Sequence, residues 1–194
     1  MDMAFDDEVM DAARDAKVRA VFLGLETVSM TALLESNKKH NVVDQYARVM
    51  ESFHRRGMFV EVGLMFGFDA DGPDVFERTL DMMDAIGADV AQIGIVTPMP
   101  GTPLYARLEA EGRIVDRDWA HYDCNNMVFK PARMSTDELY AGIGMARKRF
   151  YSRREIMRRS LAGIGRFDFM TWATQTALNL GFRKNHRLGL DYPP

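Results

Sequence analysis

The sequence predicts an α/β fold: about three parallel strands alternating with helices, then a mostly helical extension. Three observations predict it. Apolar runs suited to buried strands recur over 18–25, 58–66 and 90–96. Segments of helical periodicity separate them, and glycines close those segments. Strand–helix–strand at this spacing makes βαβ units, and therefore a parallel sheet.

Each element has its own warrant. Asp6 to Ala16 is amphipathic and leads into the run containing Phe22, Leu23, Gly24 and Leu25. A helix follows over roughly Val43 to Arg56, because Tyr46, Val49, Met50 and Phe53 fall on one helical face, and Gly57 ends it. After the second strand, Met58 to Phe66, Pro73 is expected at the first position of a helix whose buried stripe is Phe76, Leu80 and Met83. Gly87 ends that helix, and Val90 to Val96 is the third strand. A short helix runs from Pro103 to Glu111. The stretch 112–131 reads as irregular. Ser135 with Glu138 is a capping box, and the helix behind it is expected to continue to about Arg159. A final helix spans about Phe167 to Leu180. Two units result: 1–112, and an extension over 113–194.

The strands share a pattern, Leu23-Gly24-Leu25, Val62-Gly63-Leu64 and Ile93-Gly94-Ile95. A strand glycine marks close backbone approach, a bend or a bulge. One position repeated in three strands suggests one layer of a barrel-like interior or a floor under a flat ligand; packing of small residues explains it equally well.

Composition narrows the function classes. Of 194 residues, 47% are hydrophobic and 27% charged, which excludes disordered and collagen-like chains. No apolar run reaches the roughly 18–20 residues of a membrane span. The acidic start Met1-Asp2-Met3-Ala4-Phe5-Asp6-Asp7-Glu8 is no secretory signal, so a cytoplasmic location is expected. The single Cys124 excludes a disulfide framework within the chain, and also a 4Fe–4S cluster held by three or four of its own cysteines. Charge is asymmetric: residues 1–125 hold 12 Lys/Arg and 23 Asp/Glu, residues 126–194 hold 13 and 5. An acidic body with a basic tail suggests docking between two units or an anionic partner for the tail; a solvated basic helix explains it as well.

Ligands of parallel α/β folds bind at the carboxyl ends of strands. Those ends here are Glu26 to Ser29, Gly67 to Gly72 and Thr97 to Thr102. Glu26 directly follows a buried strand, where a carboxylate is costly unless paired, so it is the leading single candidate. Asp69-Ala70-Asp71-Gly72-Pro73-Asp74 lacks the spacing of a calcium loop and reads as a turn with a helix cap. The four histidines lack metal-ligand spacing; His54, among arginines near a helix end, reads as solvated. Cys124 reads as a passive thiol. Phosphate-binding glycine loops and a nucleophile elbow are absent from the sequence.

The ordered strand ends resemble a known family. Gly24-Leu25-Glu26-Thr27-Val28-Ser29, Gly63-Leu64-Met65-Phe66-Gly67-Phe68-Asp69 and Thr97-Pro98-Met99-Pro100-Gly101-Thr102-Pro103-Leu104-Tyr105 are similar to the later strands of radical S-adenosylmethionine enzymes. The nearest resemblance is to bacterial members carrying an N-terminal cobalamin-binding domain. The segment from Glu111 through Trp119 and Phe129-Lys130-Pro131 to Ser135, with the basic tail, resembles that subgroup's C-terminal extension.

The resemblance implies a partial TIM-like (β/α)₆ barrel, of which this chain supplies strands 4 to 6. It implies that Glu26, with Gly24 and Ser29 beside it, helps hold S-adenosylmethionine. Gly63 and Gly67 then shape the adenine pocket, Asp69 stands next to the position of the family's acidic residue, and Val96, Thr97 and Pro98 form the sixth-strand end. The family's C-x-x-x-C-x-x-C motif is missing. The expectation is therefore a fragment of a methylase or related oxidoreductase, with a partial S-adenosylmethionine site. The 4Fe–4S cluster and cobalamin belong to the full-length protein. Its partners are a small-molecule substrate and the missing half-barrel or a partner chain. Two alternatives stay open: a non-catalytic half-barrel binding a partner or nucleotide-like ligand, and a basic-tail protein contacting nucleic acid or an anionic surface, although nucleic acid is not the expected partner. Trp119, Tyr122 and Phe129 either line a substrate path or pack the extension on the barrel.

Overall fold

The computed structural model describes residues 2–29, 31 and 43–188. A 3₁₀ turn, Asp2–Phe5, precedes α1 (Asp7–Asp15) and β1 (Ala20–Glu26). A second 3₁₀ turn, Val43–Gln45, leads into α2 (Tyr46–His54). Then come β2 (Phe59–Phe66), α3 (Val75–Ile86), β3 (Val90–Ile95) and α4 (Pro103–Ala110). The extension holds α5 (Thr136–Phe150), α6 (Arg153–Gly163) and α7 (Phe169–Leu188). The strands form one parallel sheet in the order β1-β2-β3, so the α/β reading with parallel strands and a helical extension holds.

Four turns into or beyond the sheet use one device. After α2, Met58 N–H reaches Phe53 O at 3.1 Å and Gly57 N–H reaches His54 O at 3.0 Å. The same pair of bonds closes α3 at Gly87, α4 at Gly112 and α1 at Lys17. This motif requires a left-handed residue, and φ lies between 62° and 73° at all four. Glycine fills three of the positions without strain. Lys17 fills the fourth against its intrinsic preference.

One face of the sheet is buried. Val60, Val62, Leu64 and Phe66 of β2, with Ile93 and Ile95 of β3, pack among the side chains of α2, α3 and α5. The opposite face carries Phe22, Gly24, Glu61, Gly63, Met65, Gln92 and Gly94. Phe22 remains 56% exposed there, although parallel sheets are ordinarily covered on both faces.

The extension clamps this layer in two ways. α5 crosses α3 so closely that a Cβ on Gly142 would lie 2.1 Å from the Phe76 ring. Beside that contact the basic tail meets the acidic body, one of the readings the charge asymmetry left open. Arg149 bonds Glu77 and, at 3.0 Å, Asp81, while Arg158 bonds Asp84 at 2.6 Å. The extension also closes the free edge of β3 group by group. Tyr151 Oη donates to Ala91 O at 2.6 Å and accepts from Ala91 N–H at 3.0 Å. Asn179 donates to Asp89 O at 3.0 Å, Arg147 donates to Ile93 O, and Cys124 O accepts from Ile95 N–H at 2.7 Å. An open sheet edge is thereby satisfied without another strand.

Several expectations are corrected. The helix behind Ser135 does not run to Arg159; it stops at Phe150, where Tyr151 turns in to the β3 edge, and Ser152 caps a new helix by accepting from Glu155 N–H at 3.3 Å. Pro73 lies before the N-cap Asp74 rather than in the first helical position. The last helix extends to Leu188. His54 is not solvated: its Nε2 bonds Asp89 Oδ2 at 2.7 Å, and its side chain is 11% exposed. Gly24 and Gly63 are direct partners in the sheet, but Gly94 pairs with Met65 and so sits further along. The single glycine layer therefore holds for two strands only.

Candidate functional site

The open sheet face floors a cavity of about 560 Å³. Alternate strand positions supply most of its floor, Phe22, Gly24 and Glu26 of β1, Gly63 and Met65 of β2, Gln92 and Gly94 of β3, and Leu64, Ala91 and Ile93 reach it as well. The segment Asp123-Cys124-Asn125, Arg147 of α5, and Phe182 and His186 of α7 complete it. A Cβ on Gly63 would fall 2.7 Å from Phe22 Cζ, the end of an exposed ring. A Cβ on Gly94 would meet backbone, falling 3.0 Å from Cys124 O, so that approach is tight.

Glu26 and Cys124 both line the cavity with a left-handed backbone, at φ 69° and 64°. The β1–β2 register slips between Gly24 and Glu26, making a bulge at the carboxyl end of β1. Thr27 N–H bonds Leu25 O at 2.9 Å across Glu26, whose φ is 69°. That is a γ-turn with positive φ at its centre, a rare and strained form. Strain in a non-glycine residue persists only where the surroundings impose it, and it concentrates at functional sites. Here the imposing group is Tyr46, fully buried, whose hydroxyl donates to Leu25 O at 2.9 Å.

The other candidate residues are not gathered at this cavity. Ser29 lies beyond the turn, where its N–H bonds Thr27 Oγ1 at 3.1 Å. Gly67, at φ 106°, begins the loop after β2; its N–H and that of Phe68 both donate to the buried Asp71, at 3.0 and 3.1 Å. The acidic turn thus contains a carboxylate that holds its own loop. Asp69 is clasped between Arg113, at 2.6 Å, and Arg107. The Arg113 hydrogen bond, then that of Arg107, holds its carboxyl below the ordinary carboxylate range against the opposing effect of burial. Val96 lies in a second small core with Phe68, Leu108, Tyr122, Val128 and Phe129. Thr97 Oγ1 donates to Ile95 O at 3.2 Å, and Pro98 is buried beside it. Of the nine candidates, Gly24, Glu26 and Gly63 line the cavity. Tyr122 and Phe129 serve packing, and Trp119 is 60% exposed, outside the cavity.

The strand alternation identifies liners that the glycine pattern passed over, because Phe22, Met65 and Gln92 each stand two residues from a motif glycine. Arg147, Phe182 and His186 come from helices distant in sequence, and no local pattern announces them. Among the described residues, no group of three or more His, Cys, Asp or Glu side chains could hold a metal ion, and no helix is long and apolar enough to cross a membrane.

The sequence is similar to those of known proteins. Residues 102–187 match the family described as Domain of unknown function (DUF4070). Bacteriochlorophyllide d C-12(1)-methyltransferase of Chlorobaculum tepidum is 26% identical over 152 residues, 78% of this chain and 33% of that protein. Hopanoid C-2 methylase of Rhodopseudomonas palustris is 29% identical over 118 residues, 61% of this chain and 22% of that protein. Anaerobic magnesium-protoporphyrin IX monomethyl ester cyclase of Cereibacter sphaeroides is 24% identical over 164 residues, 84% of this chain and 26% of that protein. The chain spans a third or less of the length of these curated relatives. Residues 102–187 thus match the DUF4070 model, and over most of its length the chain is similar to radical S-adenosylmethionine methyltransferases and a cyclase.

Proposed function

We propose that residues 1–112 supply the second half of a partial (β/α) barrel, and that the sheet-face cavity is part of its S-adenosylmethionine and substrate chamber. The whole protein is then a radical enzyme of the methylase or oxidoreductase type acting on a small molecule. One observation carries this reading: Glu26 is held in a strained γ-turn at the carboxyl end of β1, lining a cavity floored by Gly24 and Gly63.

The residues present fit S-adenosylmethionine. The Glu26 carboxylate accepts from its ammonium group, and the bare backbone of Gly24 and Gly63 lets a flat ring lie against the sheet once Phe22 swings aside. Ser29, Gly67, Asp69, Val96, Thr97 and Pro98 do not line this cavity, so the part proposed for S-adenosylmethionine rests on Gly24, Glu26 and Gly63. When bound beside a reduced cluster, S-adenosylmethionine supplies the radical-generating cleavage or the methyl group.

The residues present do not fit the 4Fe–4S cluster. The chain has one cysteine, and its described residues form no metal-holding group. Cluster thiolates come from the remainder of the protein or from a partner chain, and cobalamin from a further domain. The uncovered sheet face is where that remainder closes.

The test has two parts. Sequencing the DNA upstream of the Met1 codon is expected to reveal an in-frame C-x-x-x-C-x-x-C. The protein so encoded, reconstituted anaerobically with iron and sulfide, is expected to cleave S-adenosylmethionine, with KM raised at least tenfold in Glu26→Gln. A genuine stop before Met1, or a reconstituted protein that neither binds nor cleaves S-adenosylmethionine, overturns the reading in favour of a non-catalytic half-barrel.

A further inference from the structure

We infer that the cleft between α5 and α7 is an organic-anion site, taking a carboxylate or phosphate group whose apolar body extends into the sheet-face cavity. The cleft has a volume of about 390 Å³ and is lined by Arg147, Lys148, Tyr151, Arg183, His186 and Arg187. Arg147 and His186 also line the sheet-face cavity, so the two spaces share a wall.

Charge is the first reason. Three arginines of the extension are matched to carboxylates, Arg149 to Glu77 and Asp81, Arg158 to Asp84 and Glu155, and Arg113 to Asp69 and Glu111, while Arg133, Arg159 and Arg166 bond uncharged groups or His54 instead. Lys148, Arg183 and Arg187 have no carboxylate within ion-pair distance among the described residues, and they stand around one cleft. Arg183 spends one N–H on Tyr151 O at 2.6 Å, and a guanidinium has more donors to offer. Like charges gathered round a partly enclosed space repel, and a bound anion offsets that cost.

Shape is the second reason. The Tyr151 ring stacks on Phe182 with centroids 5.5 Å apart and meets His186 at 5.0 Å. Phe182 continues this apolar wall into the sheet-face cavity, where Phe22 and Met65 also stand. A ligand with one acidic end and an apolar body matches both spaces. That this ligand is the substrate rests on the function proposed above; the anion site itself does not.

The experiment titrates the full chain, by calorimetry at fixed ionic strength, with dodecanoate, dodecyl phosphate and dodecanol. At least one anion should bind about tenfold more tightly than the alcohol, the margin one charge-assisted hydrogen bond supplies. The tighter of the two identifies carboxylate or phosphate as the natural group. The triple variant Lys148→Gln, Arg183→Gln, Arg187→Gln should lose the margin while dodecanol binding is unchanged. Should the triple variant unfold, Lys148→Gln alone, at an exposed position, must reduce the margin. Equal affinity for anions and alcohol, or a margin that survives the substitutions, overturns the site. S-adenosylmethionine cleavage by the complete protein is read separately, so either inference can fail while the other stands.

Discussion

The Tyr46 hydroxyl donates to the Leu25 carbonyl at 2.9 Å, and that same carbonyl closes the γ-turn around Glu26. A second approach, 3.4 Å to Thr27 O, brackets the turn from its other side. A buried group on α2 thus sets the backbone of the leading ligand-binding candidate. Tyr46→Phe should lower stability by about 1 kcal/mol, the net worth of a typical internal hydrogen bond. It should also raise KM for S-adenosylmethionine in the complete protein more than it lowers kcat. Denaturant unfolding and steady-state kinetics read the two effects.

Glu26→Gly separates strain from function. Glycine accepts φ near 69° without steric cost, so the variant should be about 1 kcal/mol more stable while S-adenosylmethionine binding is lost. Thermal unfolding with calorimetric titration checks both. A loss of stability would show that the carboxylate serves the fold.

Gly142→Ala should destabilise by about 1–3 kcal/mol, because its methyl group would enter the Phe76 ring and force the α3–α5 contact apart. Phe76→Leu in the same chain should recover part of that loss. A urea midpoint unchanged by Gly142→Ala would refute the close approach.

Tyr151→Phe leaves both Ala91 N–H and Ala91 O at the β3 edge without their partner in a buried position. The cost should be roughly 2–4 kcal/mol, summing two unsatisfied groups. Amide exchange at Ala91 should accelerate more than at Val62 in the strand beside it.

Two carboxylate partnerships give stability opposite pH slopes. Asp69 has its carboxyl lowered from 3.8, first by the Arg113 hydrogen bond. Its contribution is present above that value and is lost as pH falls through the still lower folded value. Asp69→Asn should flatten this acid limb. His121 is raised from 6.5 by its hydrogen bond to Asp116. Its contribution is full below 6.5 and disappears as pH rises through the higher folded value, and His121→Gln should remove that dependence. Melting temperature measured from pH 2 to 9 reads both limbs.

The sequence by itself determined the alternation of elements, the parallel sheet and the glycine-closed turns, and left docking of the basic tail on the acidic body as one of several readings. These are local or summed properties: periodicity, capping chemistry and net charge act over a few residues or over whole segments. The break between α5 and α6 was missed, although Ser152 three residues before Glu155 is a second cap signal inside one long apolar stripe. That Glu26, Gly24 and Gly63 would share one region was legible because they lie at or near the carboxyl ends of β1 and β2, where ligands of α/β folds bind. The tertiary structure alone decided that Tyr46 reaches the Glu26 turn, that Asp69 is spent on two arginines, that His54 is buried on Asp89, and that Arg147 and His186 join the cavity wall. Each depends on residues tens of positions apart meeting at one point, and a contact of that kind leaves no periodicity behind it.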